Sequence, residues 1–94
     1  MKQETFKKFG FTFKAPSKKK FKKYDVFYDD TYITSFGQLK PDGTPFSQFR
    51  DRISYYSDYD NNDEKKRANY RKRHKNDKID DISSAGFWSW YMLW

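Results

Sequence analysis

The sequence predicts a small single-domain α+β fold: a β-hairpin, with an N-terminal strand as candidate third member, packed with two or three short helices and preceded by a basic N-terminal arm. Three observations carry this. Two segments rich in β-branched and aromatic residues, Tyr24–Tyr28 and Tyr32–Phe36, flank the turn-forming Asp29-Asp30-Thr31. Later apolar residues recur at helical spacing. The length, 94 residues, suits one core and no more.

Composition sharpens the class. One Val, four Ile and two Leu make a thin aliphatic stock, and only the ten Phe, eight Tyr and three Trp supply enough apolar surface for a core. With no Cys and one His, disulfides, thiolate chemistry and a His-only zinc site are excluded. No apolar run reaches the roughly 20 residues of a membrane span, and the first residues lack the apolar stretch of a secretory signal. Lys outnumbers Arg and residues with AT-rich codons abound, which points weakly to an AT-rich genome.

Charge is segregated along the chain. Residues 1–23 hold nine Lys against one Glu, and form the predicted arm; residues 24–94 form the predicted domain. Within the arm, Phe9, Phe11 and Phe13 alternate as in a half-buried strand. Ala15-Pro16-Ser17 breaks the pattern, and Lys18, Lys19, Lys20, Lys22 and Lys23 surround Phe21. This run suits phosphate binding with salt-dependent affinity, an acidic protein surface, or plain solvation.

Beyond the hairpin, Thr44-Pro45 resembles a helix start, and Phe46, Phe49, Ile53 and Tyr56 fall on one face, predicting a helix over 45–57. Asp58–Asn62 interrupts it. Asn61 with Glu64 fits a capping box, and acidic residues before basic ones suit the dipole of a second helix over 62–74. That helix offers Lys66, Arg67, Arg71 and Arg73 as phosphate or partner ligands, beside Asp63, Glu64 and Asp77, which can neutralise some of them. The run from Asp58 to Glu64 fails the calcium-loop pattern, with Asp63 where Gly is needed and Asn69 where Glu is needed.

The tail from Ser83 to Trp94 fits helix by Phe87, Trp90, Tyr91 and Trp94, and strand by Trp88, Trp90, Met92 and Trp94; a short helix begun at Ser83 or Ser84 is the expectation. Its rings suit a core, a partner's groove or a membrane interface. His74 is the one general base near neutrality, but no nucleophile or orienting acid is nominated by spacing, so no catalytic residue, metal ligand or cofactor site is expected and the protein is read as a non-enzyme.

Arg67-Ala68-Asn69-Tyr70-Arg71-Lys72-Arg73-His74, followed by Ser84-Ala85-Gly86-Phe87-Trp88-Ser89-Trp90-Tyr91-Met92-Leu93-Trp94, resembles a motif of an uncharacterised small-protein domain family of large DNA viruses, marine viruses and phages. The likeness covers roughly residues 18–94, including Lys22–Phe27. It implies a viral source and a packed unit of Tyr70, Arg73, His74, Ser84, Gly86 and Trp94, with Trp90 alongside, and it brings no catalytic residues. The expectation is a viral structural protein, a minor capsid or internal virion component that binds neighbouring capsid proteins, located in the virion and in host cytoplasm before assembly. The alternative is a small basic nucleic-acid-binding protein.

Overall fold

The computed structural model describes residues 2–94. Four strands form an antiparallel meander: β1 (Glu4–Lys8), β2 (Phe11–Ala15), β3 (Tyr24–Tyr28) and β4 (Thr31–Phe36), in the order β1-β2-β3-β4. Two helices follow, α1 (Glu64–Arg73) and α2 (Ala85–Met92), with one 3-10 turn at Ser57–Tyr59. The α+β class stands, with four strands rather than two or three.

The predicted arm is the largest correction. Residues 4–15 are not an appendage but half of the sheet, with Phe6 opposite Phe13 and Phe13 opposite Val26. Alternation places Phe11, Phe13 and Ala15 on the inner face, and Phe13 and Ala15 are fully buried. The expected N-terminal strand is β2; charge hid β1, where Lys7 faces outward and Lys8, opposite Phe11, lies on the inner face. Phe9 departs from the predicted alternation: it and Gly10 are the two turn residues between β1 and β2, both at positive φ (56° and 82°).

The β3–β4 hairpin forms as expected. Asp29 and Asp30 connect it, both at positive φ (50° and 64°), the combination a two-residue type I′ connection needs to match strand twist. The register slips once: Val26 faces Thr34 while Phe27 faces Tyr32, leaving Ile33 as the extra residue of a bulge.

The core is a set of rings on the inner face. The Trp88 ring of α2 meets Phe13 edge-on at 5.5 Å and Phe11 edge-on at 4.8 Å, and stacks on Phe36 at 6.1 Å. Tyr24 stacks on Phe36 and meets Tyr56 edge-on, both at 5.3 Å. Met92, Leu93 and Ile53 close the remaining space. The aromatic tail is thus core, through a helix whose N-cap is Ser84; its hydroxyl accepts from the Gly86 amide at 3.1 Å.

The predicted helix over 45–57 does not form. Phe49, Ile53 and Tyr56 are buried as its apolar face would be, but Phe46 is exposed and the backbone is irregular. The reason is Asp51. Its carboxylate accepts from the amides of Ile53 (2.8 Å), Ser54 (3.1 Å) and Tyr56 (2.8 Å) and from the Tyr24 hydroxyl. A side chain that captures nearby amides competes with the helical ladder, and Ser54 takes φ of 94°, which no α-helix accommodates. Backbone bonds from Arg50 to Leu93 and from Arg52 to Met92, each 3.0 Å, tie the segment to the end of α2. The second predicted helix forms, shortened: Asp63, not Asn61, caps it, accepting from the Lys65 and Lys66 amides.

Candidate functional site

Of the C-terminal motif, Tyr70, Arg73, His74, Gly86 and Trp94 meet at the Lys23–Gly37 end of the sheet, whereas Ser84 caps α2 and Phe87 and Tyr91 lie at the other end. Tyr70 projects from α1 and carries a ring on each face: His74 stacks at 4.2 Å and Trp94 at 4.5 Å with 6° between planes. Two rings that close to a third must lie on opposite sides of it, so the order is His74–Tyr70–Trp94. His74 Nδ1 lies 2.8 Å from Asp77 Oδ2. A Cβ on Gly86 would sit 3.3 Å from the Asp77 Cβ, so the glycine lets α2 come close to the turn after α1. Burial, with the Asp77 charge beside it, pushes the Tyr70 hydroxyl up to about 12, against the opposing Ser89 hydrogen bond and Arg73 charge. The phenol is therefore a neutral wall of the site at physiological pH.

These residues line an open cleft of about 440 Å³ together with Lys22, Gln38 and Phe46. A second cavity of about 420 Å³ is lined by Lys66, Asn69, Lys72, Arg73 and Trp94. The two share Arg73 and Trp94 and so lie side by side against α1, together the α1 groove.

The basic residues expected to bind phosphates or partners separate into two groups. Lys22, Lys66 and Arg73 line the groove, and Lys18, Lys19 and Lys20 are exposed in the β2–β3 loop. Arg67 and Arg71 are committed to packing: Arg67 lies 4.5 Å over the Phe49 ring and pairs with Glu64 at 3.0 Å. Arg71 lies 4.9 Å over the Trp90 ring and donates to the Trp94 backbone oxygen at 3.1 Å. Trp90, half-buried, lies 6.4 Å from Tyr70 and so borders the stack without joining it.

Lys23 is not a surface ligand at all. It is buried, and its ammonium donates to the Phe46 carbonyl at 2.7 Å and to Gln48 Oε1. Gln48 in turn donates to the Tyr56 carbonyl at 2.9 Å and to Asp60 Oδ1 at 2.6 Å. Burial pushes the Lys23 amine down to about 8, with the Asp51 and Asp60 charges opposing. The cluster is an internal polar frame holding the 45–60 segment against the sheet. Asp25 plays a similar part on the outer face: burial would raise its carboxyl, but hydrogen bonds from Ser17, Ser35, the Lys18 amide and Gln3 outweigh that and hold it below the ordinary carboxylate range. The Lys18–Lys20 loop is anchored through this carboxylate.

A second surface, at the opposite end of the strands, had no counterpart among the expected sites. Phe9, Tyr28, Ile82 and Tyr91 are all exposed around the half-buried Phe11, and Phe9 is the extreme at 73%. Phe11 lines three adjoining cavities there, one of which, about 280 Å³, is walled by Phe9, Arg52, Phe87, Trp88, Tyr91 and Met92. Lys7, Lys8, Asp29 and Asp30 rim the surface. The Phe9-Gly10 dipeptide was the available signal, since Gly beside an apolar alternation marks a turn.

Among the described residues no cluster of His, Asp or Glu is arranged to hold a metal ion, and no helix is long and apolar enough to cross a membrane. No protein-family model, curated protein or solved structure matches the chain.

Proposed function

We propose that this protein is a non-catalytic structural component of a virus particle, which holds neighbouring proteins together through the aromatic end of its sheet. One observation carries the binding part of this reading: the bulky Phe9 sits at the tip of a β-turn, at φ 56° and 73% exposed. Left-handed φ is costly for a large side chain, and the position favours Asn or Gly. A ring held there in water helps neither the fold nor solubility. It is the arrangement expected of an anchor that inserts into a partner's pocket. The surrounding Phe11, Tyr28, Ile82 and Tyr91 form an apolar centre, and the charged rim supplies the polar border usual at interfaces. The particle context rests on the resemblance of residues 67–94 to the viral small-protein motif and on the AT-rich codon bias.

Phe9→Asn tests the reading, because Asn-Gly suits this turn and the fold remains intact. Expressed during infection, the wild-type chain is expected to co-purify with particles and the variant to remain in the soluble fraction. Equal incorporation of the two would overturn the role assigned to this surface.

A further inference from the structure

The groove along α1 is remote from the aromatic end, at the other end of β3 and β4. We propose that it binds single-stranded nucleic acid. The charge is one part of the case. Lys22 lines one cavity, Lys66 and Lys72 the other, and Arg73 both, a set of cations that suits phosphates. Among the described side chains that line the groove the one carboxylate is Asp77, and His74 Nδ1 meets it at 2.8 Å.

The groove's other chemistry separates nucleic acid from an acidic peptide. Tyr70 is covered on both faces, so the rings left for a base are the outer ones of the stack, His74 and Trp94, and Trp94 lines both cavities. An acidic peptide would use the cations but has no need of stacked rings. An unpaired base gains from a planar ring whatever its identity. Asn69, beside Trp94 in the second cavity, adds an amide donor and acceptor that suit a base edge. Arg71, packed on Trp90 and bonded to the Trp94 backbone oxygen, fixes the position of the terminal ring. This is a preorganised surface, with rings held by the fold rather than recruited on binding.

The test is fluorescence anisotropy of full-length protein with fluorescein-labelled oligo(dT) and oligo(U) of about 15 nucleotides, the upper range of a single-strand site. Four phosphate contacts give a log–log salt slope of about −3 for a single strand. Lys72→Glu/Arg73→Glu is expected to weaken binding at least about tenfold. Lys7→Glu/Lys8→Glu makes the same charge change at the other end and should cost less than about threefold. Trp94→Phe should reduce the quenching of tryptophan emission by the oligonucleotide while binding persists more weakly. Phe9→Asn should bind as wild type, which separates this inference from the proposed docking role. Three results would overturn the inference: no binding at physiological salt, equal losses from the two charge reversals, or a polyglutamate peptide bound as tightly as the oligonucleotides.

Discussion

Phe9 and Gly37 both sit at positive φ, with opposite consequences. Gly37, at φ 77°, has no room for a side chain: a Cβ there would lie 2.8 Å from Lys23 Cβ and 2.9 Å from its Cδ. Gly37→Ala is therefore expected to destabilise the protein by about 2–4 kcal/mol, from left-handed strain and overpacking together. Phe9 meets no such packing demand, so Phe9→Asn should raise stability by about 0.5–1 kcal/mol through the turn alone. Urea unfolding of both variants checks the pair. A Phe9→Asn chain less stable than wild type would mean that the ring supports the fold and is not held out for a partner. Asp51 concentrates more bonding than any other side chain in the 45–57 segment, and Asp51→Ala should cost about 3 kcal/mol or more, since it leaves the Tyr24 hydroxyl proton and the buried Ile53 and Tyr56 amides without their acceptor.

The buried polar frame also sets a pH dependence. Between about 8 and the ordinary lysine value of 10.5, Lys23 has lost its proton in the folded chain and kept it in the unfolded one. The unfolded state then binds more protons, so stability from this group rises with pH across that window. Tyr24 and Tyr56 act the other way. Burial first, and neighbouring negative charge second, push both hydroxyls above the ordinary 10.0, so unfolded phenols ionise first and stability falls above that pH. Urea midpoints should climb from about pH 8 to about pH 9.5 and decline beyond about pH 10. A decline beginning at about pH 8 would contradict a buried, proton-shedding Lys23.

At the scale of elements, the N-terminal segment decides the fold. β2 supplies the fully buried Phe13 and Ala15, and β1 covers its edge. Deleting residues 1–23 should abolish cooperative unfolding and amide dispersion in NMR spectra; a truncated chain that stayed folded would restore the view of these residues as an arm. How much was legible follows from which interactions are local. The β3–β4 hairpin was, because its turn chemistry and its alternation lie within thirteen residues. The α2 helix was legible through Ser84 as a helix start, since the ring spacing alone fits strand as well as helix. The Phe11–Phe13 part of β2 was legible as an N-terminal strand; β1, with Lys at two of its five positions, was not, and Phe9 was absorbed into an alternation that Gly10 ends. The helix over 45–57 was expected because its apolar spacing is real, and those residues are indeed buried. What the spacing omits is Asp51, whose partners Tyr24 and Tyr56 become neighbours only once the sheet exists. For the site, the motif located the Tyr70–His74–Trp94 stack, whereas the burial of Lys23 and the packing roles of Arg67 and Arg71 depend on contacts from residues 46, 48, 49, 90 and 94 that no local pattern announces.

For the whole molecule, the radius of gyration is 12.6 Å, against about 12 Å expected for a folded chain of this length, so the basic N-terminal region is part of one body. That body is polar in layout. The β1–β2 and β3–β4 turns gather exposed rings at one end, and α1 with the chain's last residues gathers cations and a ring stack at the other. A strand of five residues spans about 17 Å, so partners at the two ends need not compete. Such a shape suits a small protein bridging two components. Salt should distinguish the ends: contacts at the groove weaken steeply with ionic strength, while those of the aromatic end persist.

The most direct measurement places a photo-crosslinking amino acid at position 9 in the full-length protein and irradiates purified particles. The account predicts a crosslink to one recurring neighbouring protein, absent when the same group stands at the exposed Lys75. A position 9 that crosslinks to nothing, or to the same spread of molecules as position 75, would contradict it.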